Sequence, residues 1–148
     1  MRRLKLFLII AGLFFVFPVL ISAQTAAELE ALLETPAVSY DQAARFVLLS
    51  GNPAFEGNAY EQAVANGWLK NSAPDSPVTL GNFSFLIMKT FDMKGGMMYS
   101  FFPGPRYAFR SMVSRSYIQG AADPSMTISG EQFLLILGKV LSAEGDGL

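Results

Sequence analysis

The sequence predicts an all-α fold, with helix–loop–helix repeats in one compact domain after an N-terminal signal or anchor helix. Three observations carry this prediction. Leu80, Phe83 and Ile87 recur at helical spacing, which places them on one face of a helix. A Ser or Thr stands near the start of each predicted second helix, where its hydroxyl caps the free amides. No segment alternates polar and apolar residues for long enough to predict a strand.

The composition favours a binding or structural protein over an enzyme. The chain has 148 residues, of which 51% are hydrophobic and 16% are charged, and it contains no Cys and no His. Without these two residue types there is no disulfide framework, no thiolate nucleophile, no Ser-His-Asp catalysis and no imidazole metal ligand. We therefore expect no catalytic residues, no metal site and no cofactor.

Residues 1–23 have the three parts of a bacterial secretory signal peptide. A basic start is followed by an apolar run over 6–21 and by the small residues Ser22 and Ala23. The alternative is an uncleaved inner-membrane anchor over 6–23, because the run nearly reaches the ~18 residues that span a bilayer. In both cases we expect the remaining chain to be exported, to the periplasm or the cell surface. Beyond the signal, 8 basic residues face 12 acidic ones, a net charge of -4 that disfavours a nucleic-acid partner.

The remaining chain divides into three parts. Residues 24–37 predict a linker helix, because strong helix formers with Leu29, Leu32 and Leu33 at helical spacing precede Pro36. Residues 38–143 form the predicted repeat domain. Residues 144–148 predict a flexible tail, since they are short and rich in glycine.

An internal repeat organises residues 38–143. The segment 59–70 matches 108–119 at an offset of 49, with alanine, aromatic and valine positions in register. The segment 75–80 then matches 123–128 at an offset of 48, which pairs the predicted caps Thr79 and Thr127. Ser129 with Gln132 also fits a capping box, so the start of that helix is uncertain by about two residues. A half unit begins at 38, where Ser39 with Gln42 fits a capping box.

Between the two complete units, residues 92–107 are rich in Gly, Pro, Met and aromatic residues. Gly95-Gly96 and Pro103-Gly104-Pro105 predict that this segment is too broken for a helix. One interpretation is an exposed binding loop that presents Met97 to Phe102. The other, which we favour, is that these apolar side chains fill the core, since soluble proteins seldom expose large apolar patches.

The repeat pattern resembles S-layer homology (SLH) repeats. An aromatic-Ala helix start, a hydrophobic helix end, an Asp/Pro loop and a Thr cap recur in both units over about Val38 to Leu141. The resemblance implies a three-repeat helical spindle that attaches proteins to the bacterial cell wall, commonly through an anionic polysaccharide. SLH repeats usually carry Arg after the capping Thr, whereas this chain has Tyr40, Leu80 and Ile128 there. The resemblance therefore implies the SLH architecture for this chain more directly than it implies the polysaccharide site.

The candidate ligand-binding residues lie at the short-helix ends and in the loop between the units. They are Trp68, Lys70, Tyr99, Arg106, Arg110, Tyr117 and Gln119. Trp68 and its repeat partner Tyr117 either stack on a sugar ring or close the helix pair as core aromatics. Arg106, Arg110 and Arg115, with Lys94 near them, form either a cationic patch for a polyanion or phospholipid head groups, or an ordinary solvated helix face.

Asp75 and Asp123 occupy equivalent turns in the two units. Turn and capping roles suffice to explain both, and a paired acid/base role is a remote alternative.

Two functions follow from the sequence. The first is a non-enzymatic envelope module that associates with cell-wall polysaccharide or a peptidoglycan-associated polymer. The alternative is a structural adaptor that packs against another envelope protein through the apolar loop 95–107. Exposure of residues 97–102 favours the adaptor, and burial favours the glycan groove. Membrane contact is expected only through residues 6–23, if the signal is not cleaved.

Overall fold

The computed structural model describes residues 25–120 and 122–145, and every regular element in those ranges is a helix. The predicted signal or anchor segment, and the choice between its cleavage and retention, lie outside the described residues. The helices are α1 (25–33), α2 (Tyr40–Gly51), α3 (Ala59–Ala65), α4 (Leu80–Thr90), α5 (Met97–Phe101), α6 (Pro105–Ser114) and α7 (Gly130–Gly145). The prediction of an all-α chain is therefore confirmed for the described residues.

The described residues separate into two units, with 25–34 in the first and the described residues from 35 to 145 in the second. Within the first unit, α1 ends at a turn at Glu34, two residues before Pro36. This end agrees with the helix over 24–37 that the sequence predicts. The second unit holds helices α2 to α7 and contains every cavity discussed below.

The long helices α2 and α7 begin at reciprocal caps that the sequence predicts. The Gln42 amide donates to Ser39 Oγ (3.2 Å), and the Ser39 amide donates to Gln42 Oε1 (3.0 Å). Ser129 and Gln132 repeat both bonds at 3.3 Å. Each pair satisfies two amides that a helix start leaves without partners.

The start of α4 has a simpler cap. The Asn82 amide donates to Thr79 Oγ1 at 3.3 Å. The Asn82 side chain also donates to the Tyr40 hydroxyl at 2.9 Å, which ties the first turn of α4 to that of α2.

Three phenylalanine rings join these long helices in the core of the second unit. Phe83 of α4 and Phe133 of α7 lie 4.6 Å apart between ring centroids, and Phe46 of α2 meets Phe133 edge-on at 6.3 Å. Phe83 and Phe133 are fully buried. Aromatic pairs of this geometry add stability beyond the area that they bury.

The segments before the long helices are joined by backbone hydrogen bonds. The Val78 amide donates to Val38 O (2.8 Å), and the Val38 amide donates to Ile128 O (2.9 Å). Isolated antiparallel bridges link Ser39 to Pro77 and Thr79 to Thr127. These bonds hold the starts of α2, α4 and α7 together. They also give hydrogen-bond partners to backbone groups of the buried residues Val38, Val78 and Ile128.

The repeat alignment needs one correction at the third cap. The sequence pairs Thr79 with Thr127, but α7 begins at Gly130 and its cap is Ser129. The Leu80 amide bonds to Met126 O, and the equivalent Tyr40 amide bonds to Ser76 O. The residues that cap α4 and α7 are therefore 50 positions apart, and the offset of 48 from the sequence alignment does not match these two helix starts.

The prediction that residues 92–107 are too broken for a helix is wrong. Gly96 is the N-cap of α5, Pro103 follows its end, and Gly104 with Pro105 at N1 begins α6. Glycine and proline here mark helix boundaries instead of preventing helices, since proline fits the first helical position without losing a bond.

The C-terminal helix is longer than the predicted repeat domain. Helix α7 continues through Gly145, so the first two residues of the predicted tail are helical, and 146–148 lie outside the described residues. Within residues 25–120 and 122–145, no helix is long and apolar enough to span a bilayer.

Candidate functional site

A groove of about 600 Å³ lies between the first turns of α4 and α6 and the turn at 123–125. Arg106 and Arg110 line it from α6, one helical turn apart, with Phe109 as part of the apolar wall. Both arginines are exposed. Because side chains four positions apart share a helix face, the two guanidinium groups act on the same side of the groove.

The turn at 123–125 brings a carboxylate, that of Asp123, to this groove. The Asp123 side chain accepts hydrogen bonds from the Ser125 amide (2.8 Å) and from the Ser125 hydroxyl. These bonds hold the pKa of Asp123 below its ordinary value, so the carboxylate is ionised at neutral pH. This Asx turn agrees with the turn role that the sequence predicts for Asp123. The groove therefore offers both cationic donors and an anionic acceptor.

Gly81 forms the base of the groove and allows its close packing. Its amide donates to Pro124 O at 2.8 Å. A Cβ at this position would lie 3.0 Å from that oxygen and 3.4 Å from the Pro105 Cβ. A residue with a side chain at position 81 would require the 123–125 turn to move away from α4 by a few tenths of an ångström.

A second feature is the α5 surface, which we define as the exposed side chains of Met97, Met98, Phe101 and Phe102. Their exposed fractions are 75%, 47%, 70% and 63%, respectively. The favoured prediction, that these side chains fill the core, is wrong. Helix α5 has too few residues to bury more than one side, and that side is occupied by Tyr99.

Tyr99 fixes α5 to the rest of the unit. It is 8% exposed, and its ring meets Phe85 of α4 edge-on at 6.3 Å between centroids. Burial, and secondly the charge of Asp92, raise the pKa of the Tyr99 hydroxyl. Tyr99 thus anchors α5 with a buried ring, and its role as a ligand-binding residue stays a prediction.

Two polar contacts attach the segment before α5 to helix α6. The Gly96 amide donates to Ser111 Oγ at 3.3 Å. The Arg115 guanidinium donates to the carbonyl oxygen of Lys94. These contacts hold the segment that leads into α5 against α6, with the Arg115 guanidinium next to the backbone of Lys94.

Arg110 connects the groove to the α5 surface. Besides the groove described above, it lines a cavity of about 300 Å³ between α5 and α6, together with Met97, Met98 and Tyr107. The structure thus brings Arg106, Arg110 and Tyr99 into one region, with Tyr99 buried beneath it.

The other predicted ligand residues lie elsewhere. Tyr117 and Gln119 line a separate cavity of about 180 Å³ beside α7. Trp68 is half-buried and Lys70 is exposed, and neither lines the three cavities described here. The predicted ligand-binding residues therefore lie in at least three places on the protein and not in one groove. The reason is that the two short helices pack on different long helices, α3 on α2 and α6 on α4.

The described residues hold no group of three or more acidic, His or Cys side chains able to bind a metal ion. Sequence reasoning did not place Ser125 or Gly81 in the site, since contacts between distant segments leave no local pattern. The sequence does indicate the cationic part of the site, because residues 93–122 carry four cations and no Asp or Glu.

Comparisons of this chain with known protein families, with curated proteins and with solved structures find no match.

Proposed function

We propose that the protein is an exported, non-enzymatic binding module of the bacterial cell envelope, and that the groove between α4 and α6 binds cell-wall glycan. The observation that carries this proposal is that Arg106 and Arg110 of α6 line the same groove as Asp123. Sugar hydroxyls donate to carboxylates, and acidic sugar groups accept from guanidinium groups. Glycosidase chemistry requires two carboxyl groups across the cleaved bond, and this groove is lined by one.

We also propose that residues 38–143 are about two and a half divergent SLH-like units. The matching hydrogen bonds at Val38–Tyr40 and Val78–Leu80 support a shared unit. The residues that follow the caps Ser39, Thr79 and Ser129, where SLH repeats usually carry Arg, are Tyr40, Leu80 and Gly130, and all three are buried. In this proposal the cations for an anionic glycan come from α6 instead.

Sedimentation with cell-wall sacculi tests the glycan proposal. The protein, in the form that an exporting host produces, is mixed with sacculi before and after chemical removal of the attached polysaccharide. We expect binding to the intact sacculi alone. The double variant Arg106→Gln/Arg110→Gln should bind at least about tenfold more weakly, since charge-assisted hydrogen bonds are lost. The matched variant Lys139→Gln, which removes a cation on α7, should bind as the wild type does. Equal binding by both variants would overturn the proposal.

The exposure of residues 97–102 favours the second candidate, an adaptor that packs against another envelope protein through residues 95–107. Large apolar patches on a protein surface commonly mark interaction sites. A photo-crosslinking residue at position 101 tests it, with position 135 of α7 as a control of similar exposure. A discrete protein adduct formed in envelopes from position 101 alone supports the adaptor, and its absence contradicts it.

A further inference from the structure

The α5 surface is apolar but small. Its four side chains expose on the order of 500 Å², taking 150–250 Å² for a large side chain. Each partner in a stable protein–protein interface buries roughly 800 Å². A protein partner would therefore need a larger contact area than these side chains provide, whereas a few apolar side chains suffice to enter a lipid interface.

The chain segment that holds this surface carries charge of one sign, and Asp92 and Asp123 stand just outside it. Residues 93–122 contain four of the eight basic residues that follow position 23 and none of the twelve acidic ones. Arg110 shares its cavity with Met97 and Met98, and Arg115 is bonded to the backbone of Lys94. Cationic side chains on the same segment as the exposed Met and Phe side chains, with Arg110 beside Met97 and Met98, complement a surface of anionic phosphates over hydrocarbon.

The backbone supports insertion of the apolar side chains. Phe101 ends α5, and Phe102 is followed at once by Pro103-Gly104, so both rings lie at a turn of the chain. Behind them, Tyr99 is packed on Phe85 and the Gly96 amide is bonded to Ser111. The exposed side chains thus project from a segment that is held to α4 and α6 on its inner side.

We propose that the α5 surface docks on a lipid bilayer that contains anionic phospholipids. Met97, Phe101 and Phe102 enter the boundary between headgroups and acyl chains, and Lys94, Arg106 and Arg110 remain at the level of the phosphates. The inference rests on the export part of the proposed function, which places the domain near a membrane, and does not depend on glycan binding. It adds a membrane contact to the one that the sequence predicts for residues 6–23.

Site-specific fluorescence tests the docking directly, because a chain without Cys accepts a single label cleanly. An environment-sensitive dye is attached at Phe101→Cys, or at Leu135→Cys on α7, which is also well exposed. The labelled protein is mixed with vesicles of phosphatidylcholine, with or without about one-third phosphatidylglycerol. We expect a blue shift and brighter emission at position 101 with the anionic vesicles, and no change at position 135. The readout is local, so it reports α5 even where residues 6–23 anchor the chain.

Charge removal provides the second measurement. In the labelled protein, Arg106→Gln/Arg110→Gln should lower partition into anionic vesicles by roughly 30-fold, the effect of two charges at about 1 kcal/mol each near an anionic bilayer. Lys139→Gln should leave partition unchanged. Rising salt should weaken the signal, as the Debye length falls to about 3 Å at 1 M.

Three results would overturn the proposal. The first is no spectral change at position 101 with either vesicle, and the second is an equal change with neutral and anionic vesicles. The third is a change that appears only when envelope protein is added, which would assign the surface to a protein partner. The vesicles contain no sacculus, so failure here is distinguishable from failure of the glycan proposal.

Discussion

Gly67 and Ser116 lie 49 positions apart and adopt the same left-handed backbone conformation, with φ of 71° and 62°. Each follows a short helix, and the next amide returns to that helix: Trp68 N bonds to Ala63 O at 2.8 Å, and Tyr117 N bonds to Met112 O at 3.0 Å. In the sequence, Gly67 and Ser116 each stand just before an aromatic-aliphatic pair, which predicts a helix end at both positions. A left-handed residue at a helix end satisfies carbonyls that would otherwise lack partners.

Serine is strained in this conformation, and glycine is not. We therefore expect Ser116→Gly to raise the free energy of unfolding by about 0.5–1 kcal/mol, and Gly67→Ser to lower it by a similar amount. Urea unfolding measured on both variants checks the two signs. Ser114→Gly, two residues earlier and inside α6, should be destabilising, because glycine costs about 0.5–1 kcal/mol in a helix relative to alanine. A destabilised Ser116→Gly variant would contradict the expectation.

Gly95 makes room for the anchor of α5. A Cβ on Gly95 would lie 2.5 Å from Cγ of Tyr99, whereas a Cβ on the adjacent Gly96 would meet nothing within 4 Å. Gly95→Ala should therefore displace Tyr99 and destabilise the protein by about 1–3 kcal/mol, the range for overpacking. Gly96→Ala is the matched control and should leave the melting temperature nearly unchanged. Limited proteolysis of both variants locates the effect: cleavage near residues 97–103 should become faster in Gly95→Ala alone.

Tyr99 should make the stability depend on pH in the alkaline range. Its pKa in the folded protein is raised above the ordinary value of 10.0, first by burial and then by Asp92. A raised folded pKa contributes stability that is fully present below pH 10.0 and is lost as the pH rises through the folded pKa. We expect the melting temperature to fall more steeply above this pH in the wild type than in Tyr99→Phe.

Asp92→Asn separates the two causes. Removal of the carboxylate charge should lower the pKa of Tyr99 only in part, because burial is the larger cause. Asparagine also tolerates the positive φ of 48° at this position, so the backbone should be preserved. A difference titration of tyrosinate absorbance, wild type minus Tyr99→Phe, measures the shift. If Asp92→Asn raised the pKa, the electrostatic explanation would be wrong.

The parts of the fold that local chemistry fixes were predictable from the sequence. Two capping boxes are present in both the sequence and the structure, Ser39 with Gln42 and Ser129 with Gln132. They were predictable because the two residues of each box are only three positions apart. Helix ends at Gly67 and Ser116 follow from the same local logic. The choice of Ser129 over Thr127 as the cap of α7 was not predictable from the sequence. Both residues fit a helix cap, and an alignment of two short, divergent segments does not reveal the length of the loop between them.

By itself, the sequence determined the helical class, the caps and the concentration of cations in residues 93–122, because propensity, capping and charge act over a few neighbouring residues. Only the tertiary structure decided that Met97, Phe101 and Phe102 face outward while Tyr99 faces inward. It also decided that Arg106 and Arg110 share a groove with Asp123, apart from Tyr117 and Trp68. The physical reason is that burial and groove membership depend on which distant segments fill the neighbouring space, and the core around Phe83 and Phe133 is already filled.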